Sequence, residues 1–301
     1  SAQTFTIGSD FLFYGDNTEF TNPFPSGETT FGVSGTVFVD AALNERVTLR
    51  AGLFGLGRFG SHEFLEHAEP AVALTIARGG SRVTIGSLQT VATRHDVRGP
   101  DAETPHRLLP PIQRETLTFS RGQEMGLQWL VERPRFDQDA WINWQRLNTA
   151  EHRERFDAGY RASIGLRDRL RVIGQWHVVH EGGQQFGNGA VSDSQAGAIG
   201  MQGLLSAGPL RTTFEAHVVA AEDRPNRERS DIHERGAGVF VRAAMQRGSW
   251  RGHGIAWRGR HVHKAEGDAN YLSRQADGIM FRNVRDYAEL GPRPAIVPLP
   301  H

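Results

Sequence analysis

Residues Phe156 to His180 read FDAGYRASIGL, Arg167-Asp168-Arg169, LRVIGQWHVVH, and both arms alternate with period two. That period belongs to a strand with one wet and one apolar face. One parity carries Ala158, Tyr160, Ala162, Ile164 and Leu166; the other carries Asp157, Gly159, Arg161, Ser163 and Gly165. The second arm sets Leu170, Val172, Gly174, Trp176 and Val178 against Arg171, Ile173, Gln175, His177 and Val179. A fold at Asp168 puts Leu166 beside Leu170, Ile164 beside Val172 and Tyr160 beside Trp176, so like faces meet. Each arm is about ten residues, the length a tilted strand needs to cross a hydrocarbon core of roughly 30 Å.

The same alternation recurs from Phe5 to Gly259. Phe5, Ile7, Phe11 and Phe13 share one parity; Val47, Leu49, Ala51 and Leu53 share another, opposite Arg46, Thr48 and Arg50. About thirteen such segments are readable, and the connections between them alternate long and short. An up-and-down meander with turns on one rim and loops on the other produces this rhythm, whereas a Greek key scatters its long crossings. After Gly259 only a weak strand candidate remains, around Gly278 to Val284. The expected fold is therefore all-β, an up-and-down antiparallel transmembrane β-barrel of about 14 strands, with more if the chain is incomplete. It forms a single domain over 1–301, with a long loop at 90–122 and an irregular C-terminal segment at 260–301.

Composition narrows the function classes. Thirty-four basic and 34 acidic residues balance, which speaks against a nucleic-acid partner. There is no cysteine, so neither disulfides nor thiol chemistry is available. No apolar run reaches the length of a transmembrane helix, which leaves barrel strands untouched by the argument. The start, Ser1-Ala2-Gln3-Thr4, enters the strand pattern at once, as expected of a mature chain after signal removal.

On this pattern the chain resembles a Gram-negative outer-membrane β-barrel of the porin-like class. The resemblance covers nearly Phe5 to Gly259 and implies an outer-membrane location, with membrane lipid, small solutes and further copies of itself or other proteins as partners. Tyr160 and Trp176 then fall at a membrane interface, where aromatic belts lie. The ending GPRPAIVPLPH departs from the aromatic closing residue usual in that class.

The polar parity presents Arg50, Arg161, Gln175, His177, Arg211, Glu215, His217, Arg242, Arg251 and His253, which in a barrel line the lumen. Asp10, Glu124, Asp139 and Asp157 stand on the same side with opposite sign. Two roles compete for these residues: setting ion selectivity, or bracing the interior with mutual salt bridges. Folding the later hairpin at Arg247 places Arg242 close to Arg251, so that their repulsion favours anions. Gly55-Leu56-Gly57-Arg58-Phe59-Gly60 matches G-x-G-x-x-G, yet no helix and parallel strand follow it, so strand-end glycines explain it better than a dinucleotide site. His261 and His263 lack a third ligand at metal-site spacing, and no G-x-S-x-G elbow is present. The expected function is a porin-like channel for small polar or anionic solutes, with no enzyme activity, metal or cofactor. The alternative is a structural or assembly barrel with a closed lumen that binds proteins through its loops or rim.

Overall fold

The computed structural model describes residues 4–19, 28–93, 104–121, 123–248, 250–274 and 282–294. Fourteen antiparallel strands follow one another in sheet order: β1 (Thr4–Thr18), β2 (Glu28–Ala42), β3 (Val47–Arg58), β4 (His67–Arg78), β5 (Ser81–Ser87), β6 (Met125–Arg133) and β7 (Phe136–Arg146) make the first half. The second half is β8 (Glu154–Arg167), β9 (Leu170–Gly182), β10 (Ser192–Ala207), β11 (Leu210–Arg224), β12 (Glu234–Arg247), β13 (Trp250–Arg260) and β14 (Val284–Pro294). A single turn of helix, α1 (Leu117–Ser120), lies in the long connection before β6. The meander expected from the alternation is the fold.

In the deciding hairpin, Tyr160 lies across from Trp176 and Ile164 across from Val172. At the turn, a bulge between Gly165 and Arg167 sets Arg167 opposite Leu170, the place alternation alone assigns to Leu166. An extra residue in one strand shifts the register locally in this way. β14 falls inside the segment read as irregular, beginning where the weak candidate at 278–284 ends. Its sequence RDYAELGPRP hides it, because Asp286 interrupts the apolar face and Pro292 and Pro294 are poor strand formers. Among the described residues β14 pairs with β13 alone, and a strand with one side clear of the ladder tolerates two prolines.

The outward parity is apolar and wet only by default: Phe5, Ile7, Phe11 and Phe13 on β1, Ile199 on β10 and Val218 on β11 are each more than half exposed. A continuous exposed apolar face around a sheet needs a lipid environment. Tyr160 and Trp176 stand on that face, at 40% and 41% exposure. Ala162, between them and the turn, points outward as well. Ala162→Arg is expected to destabilise the folded barrel by roughly 2–4 kcal/mol if the site lies at the bilayer midplane. Urea titration of the protein folded into lipid vesicles measures this, and an unchanged midpoint would remove Ala162 from the lipid face.

Candidate functional site

The inward parity is not uniformly polar. Ile173, Val179, Val219, Phe240, Ile255 and Trp257 are all buried on it. Val219, Phe240, Ile255 and Trp257 are covered by chain from two of the long connections, which fold into the barrel instead of away from it. Leu108, Leu109 and Ile112 from the connection before β6, and Val262 and Tyr271 from the connection before β14, join one buried cluster with Trp141, Phe240 and Trp257. The half of the lumen bounded by β6–β13 is thus filled by residues 104–121 and 262–274.

The polar groups carried inward with these segments find partners on the wall. His106 is fully buried, with Nδ1 2.8 Å from Asp139 and Nε2 2.7 Å from Glu124, and its ring stacks on Trp141 at a centroid distance of 3.7 Å. Burial disfavours the imidazolium, but the two carboxylates outweigh it and push the pKa up to about 10. With both ring nitrogens engaged by carboxylates, His106 acts as a charged strut. Because its folded pKa lies above the unfolded value, its contribution is complete below about pH 6.5 and is lost as pH rises toward 10. Thermal stability should fall across that window, and His106→Gln should flatten the fall. An equal slope in both proteins would rule the strut out.

A second knot joins both segments to the wall. Arg121 reaches Glu124 at 3.2 Å and Asp157 at 3.3 Å, and also pairs with Glu266. Glu266 accepts from Gln145 at 2.9 Å and lies 3.3 Å from Arg155. Burial opposes the Glu266 charge, yet Arg121 holds its carboxyl below the usual range. The backbone N–H of Arg114 donates to the Glu266 carbonyl at 2.7 Å, so one segment is tied directly to the other. Burial pushes the neighbouring Lys264 down to about 8, although Glu266 and other acids pull it upward.

Asp157, His177 and Glu266 bring ligand atoms within 4.8 Å of one another, a spacing that would suit a metal ion. The donor set argues otherwise. Asp157 already accepts from Asn143 at 2.8 Å, Gln145 at 2.7 Å and Trp141 Nε1 at 3.0 Å, with His177 Nε2 at 3.1 Å. Arg121 supplies the positive charge a metal would bring. The group reads as a brace.

The residues picked from the sequence fall into several places. Arg161, Gln175, His177, Glu215, His217 and Arg242 are buried on the inner face; Arg50, Arg251 and His253 are partly exposed, and Arg211 is exposed. Gln175 holds the in-folded chain, its Oε1 accepting from the Leu109 N–H at 2.8 Å. Arg161 pairs with Asp137 at 2.7 Å, and His253 with Glu289 at 2.6 Å. Arg242 pairs with Glu215, its direct cross-strand partner, and Glu215 lies 3.4 Å from His217. The expected Arg242 and Arg251 repulsion does not arise, because Arg242 faces Ile255 while Arg251 faces Gln246. His263 pairs with Glu234. The G-x-G-x-x-G stretch is the end of β3 and its turn.

What remains unfilled is the other half. A cavity of about 280 Å³ lies between β1–β5 and residues 105–124. Hydroxyls from Ser34, Thr36, Thr75 and Thr84 line it, together with Asp10, Asp40, Arg50, Arg82, Arg121 and Glu124. Arg50 holds Asp40 through two contacts of 2.8 Å and lies 3.5 Å above the Phe38 ring. Asp10 is 8% exposed and pairs in register with Thr36.

A 14-stranded transmembrane meander with an apolar outer belt and a partly filled interior defines a Gram-negative outer-membrane β-barrel. Within that class the chain belongs to the family described as Lipid A 3'-O-deacylase-type, whose model matches residues 1–291. Solved structures agree on the fold. Pseudomonas aeruginosa OccD3 (OpdP) superposes with a TM-score of 0.55 at 8% identity, over 97% of this chain and 67% of its own. Acinetobacter baumannii OccAB1 gives 0.52 at 9%, over 96% and 74%, and P. aeruginosa OpdL gives 0.50 at 11%, over 96% and 75%. No curated protein matches the chain. Family membership overturns the expectation of a barrel without enzyme activity, since the family is one of deacylases. Motif spacing is a poor guide here, because a barrel collects its wall residues from alternate positions on several strands.

Proposed function

We propose that this chain is an outer-membrane ester hydrolase of the lipid A 3'-O-deacylase kind, working in the cavity behind β1–β5. The observation that supports this reading most directly is the character of that cavity. It is lined by hydroxyls and ionisable groups, in a family of deacylases, while the β6–β13 side of the interior is packed with in-folded chain. Hydrolysis of an acyl ester needs a base for the attacking water and a positive or hydrogen-bonding group for the carbonyl oxygen. We assign the base to Asp10, across the ladder from the Thr36 hydroxyl, and the oxygen's support to the cationic side of the wall at Arg50 and Arg82. Water loses a proton to Asp10 and attacks the carbonyl carbon. The bond between the acyl carbon and the sugar's 3'-oxygen then breaks, and that oxygen takes the proton back from Asp10, giving a fatty acid and a free 3'-hydroxyl. Incubating the purified barrel with lipid A in mixed micelles and following loss of one ester-linked acyl chain by mass spectrometry tests this. An unchanged mass would refute it.

Solute passage is the second reading, for which the same unfilled half speaks. Arg161 and Arg242 are both paired with acids, so a preference for anions would have to come from the cavity side. Conductance in planar bilayers separates the two readings.

A further inference from the structure

A second cavity of about 280 Å³ lies at the loop-side rim, on the opposite side of α1 from the first. Thr116, Phe119 and Ser120 of that turn face the rim cavity, whereas Leu117 and Thr118 face the deeper one. We infer that this rim cavity is a saccharide subsite, which receives a sugar unit of the amphiphile whose acyl ester reaches the deeper cavity. The inference rests on the hydrolase reading and deepens it by placing the headgroup.

Three observations carry it. First, the walls mix acceptors and donors, Asp16 and Glu66 with Arg58 and Arg114, so their formal charges cancel. Such a set suits neutral hydroxyls, each of which donates and accepts, better than an isolated phosphate. Arg58 Nε already donates to Glu66 at 2.6 Å, which fixes the fork while the arginine stays more than half exposed to the loop side. Second, the hydroxyl oxygen of Tyr14, a half-buried residue that lines this cavity, is itself buried with no hydrogen-bond partner among the described residues. A buried orphan hydroxyl calls for a partner, and a ligand hydroxyl supplies one. Third, the phenol is held in place on both sides. Its ring stacks on Phe119 at 4.6 Å, and the hydroxyl sits against Gly32, where a Cβ would come within 2.3 Å of it and 2.7 Å of the Gly57 carbonyl oxygen. The two cavities are at a workable separation. Arg58 in the rim and Phe54 in the deeper wall are four residues apart on β3, about 13 Å along the strand.

The test uses the absence of native cysteine. Ser120→Cys, at an exposed rim position, gives a single maleimide target in the otherwise intact barrel. A soluble, acyl-free glucosamine disaccharide should slow its labelling, and inorganic phosphate at equal concentration should not. Adding Tyr14→Phe or Arg58→Gln should weaken the protection about tenfold, the value of one or two hydrogen bonds. Absence of protection, protection by phosphate alone, or protection indifferent to both substitutions would overturn the subsite. Labelling does not depend on turnover. Lipid hydrolysis without protection therefore sinks the subsite alone, while protection without hydrolysis supports the subsite and counts against the hydrolase reading.

Discussion

Glu266→Gln should loosen both in-folded segments at once. The carboxylate pairs with Arg121 and Arg155, accepts from Gln145, and sits in a backbone tied to Arg114. Removing one partner of a buried ion pair leaves the other charge uncompensated, at a cost of roughly 3–5 kcal/mol. Arg121 is the group left exposed to that cost, and Asp157 and Glu124 compensate only part of it. The strands have their own ladders, so the loss should appear as local release and not as unfolding of the barrel. Trypsin, which finds Lys264 buried in the native protein, should then cut there while the barrel still migrates as a folded species. If Lys264 stays protected and the melting curve is unchanged, the brace does not depend on Glu266.

The legibility of this molecule differs between its outside and its inside for a physical reason. Lipid contact imposes period two on every strand, so Ile164 and Val172, or Val47 and Leu49, announce their face without further context. The inner face answers to whatever covers it. Ile173, Val179 and Phe240 sit on the polar parity, and an apolar residue there is the mark of a dry interior. That signal was available in the sequence, since Ile173 and Val179 stand beside Gln175 and His177 in the opening stretch. Which segment covers Phe240 was not, because Leu109 and Tyr271, its companions in the buried cluster, lie far away in the chain and carry no period. For the same reason His106, Arg121 and Glu266, which do most of the bracing, are invisible to strand patterns, being loop residues. Asp10, Glu124, Asp139 and Asp157 could be placed on the inner face but not given roles.

Asp10→Asn should leave the barrel folded and remove its hydrolytic activity. The substitution keeps shape and hydrogen-bonding capacity while removing the basic oxygen. Its place in the ladder to β2 is a backbone one, and the buried cluster behind β6–β13 does not include it. A positioned general base contributes on the order of 10²–10⁴ in rate, and that is the expected fall in deacylation. Binding of substrate should change far less, so the loss belongs in kcat and not in KM. Asp40→Asn is the matched control on the same wall. Its carboxylate is held by Arg50, so removing it frees a cation that can still support the developing oxyanion, and the rate should fall less. The assay is release of the 3'-O acyl chain under single-turnover conditions, with protein folding checked by heat-modifiable migration. Equal rates for Asp10→Asn and the wild type would take Asp10 out of the chemistry. A larger loss in Asp40→Asn would transfer the role of base to the Asp40 and Arg50 pair.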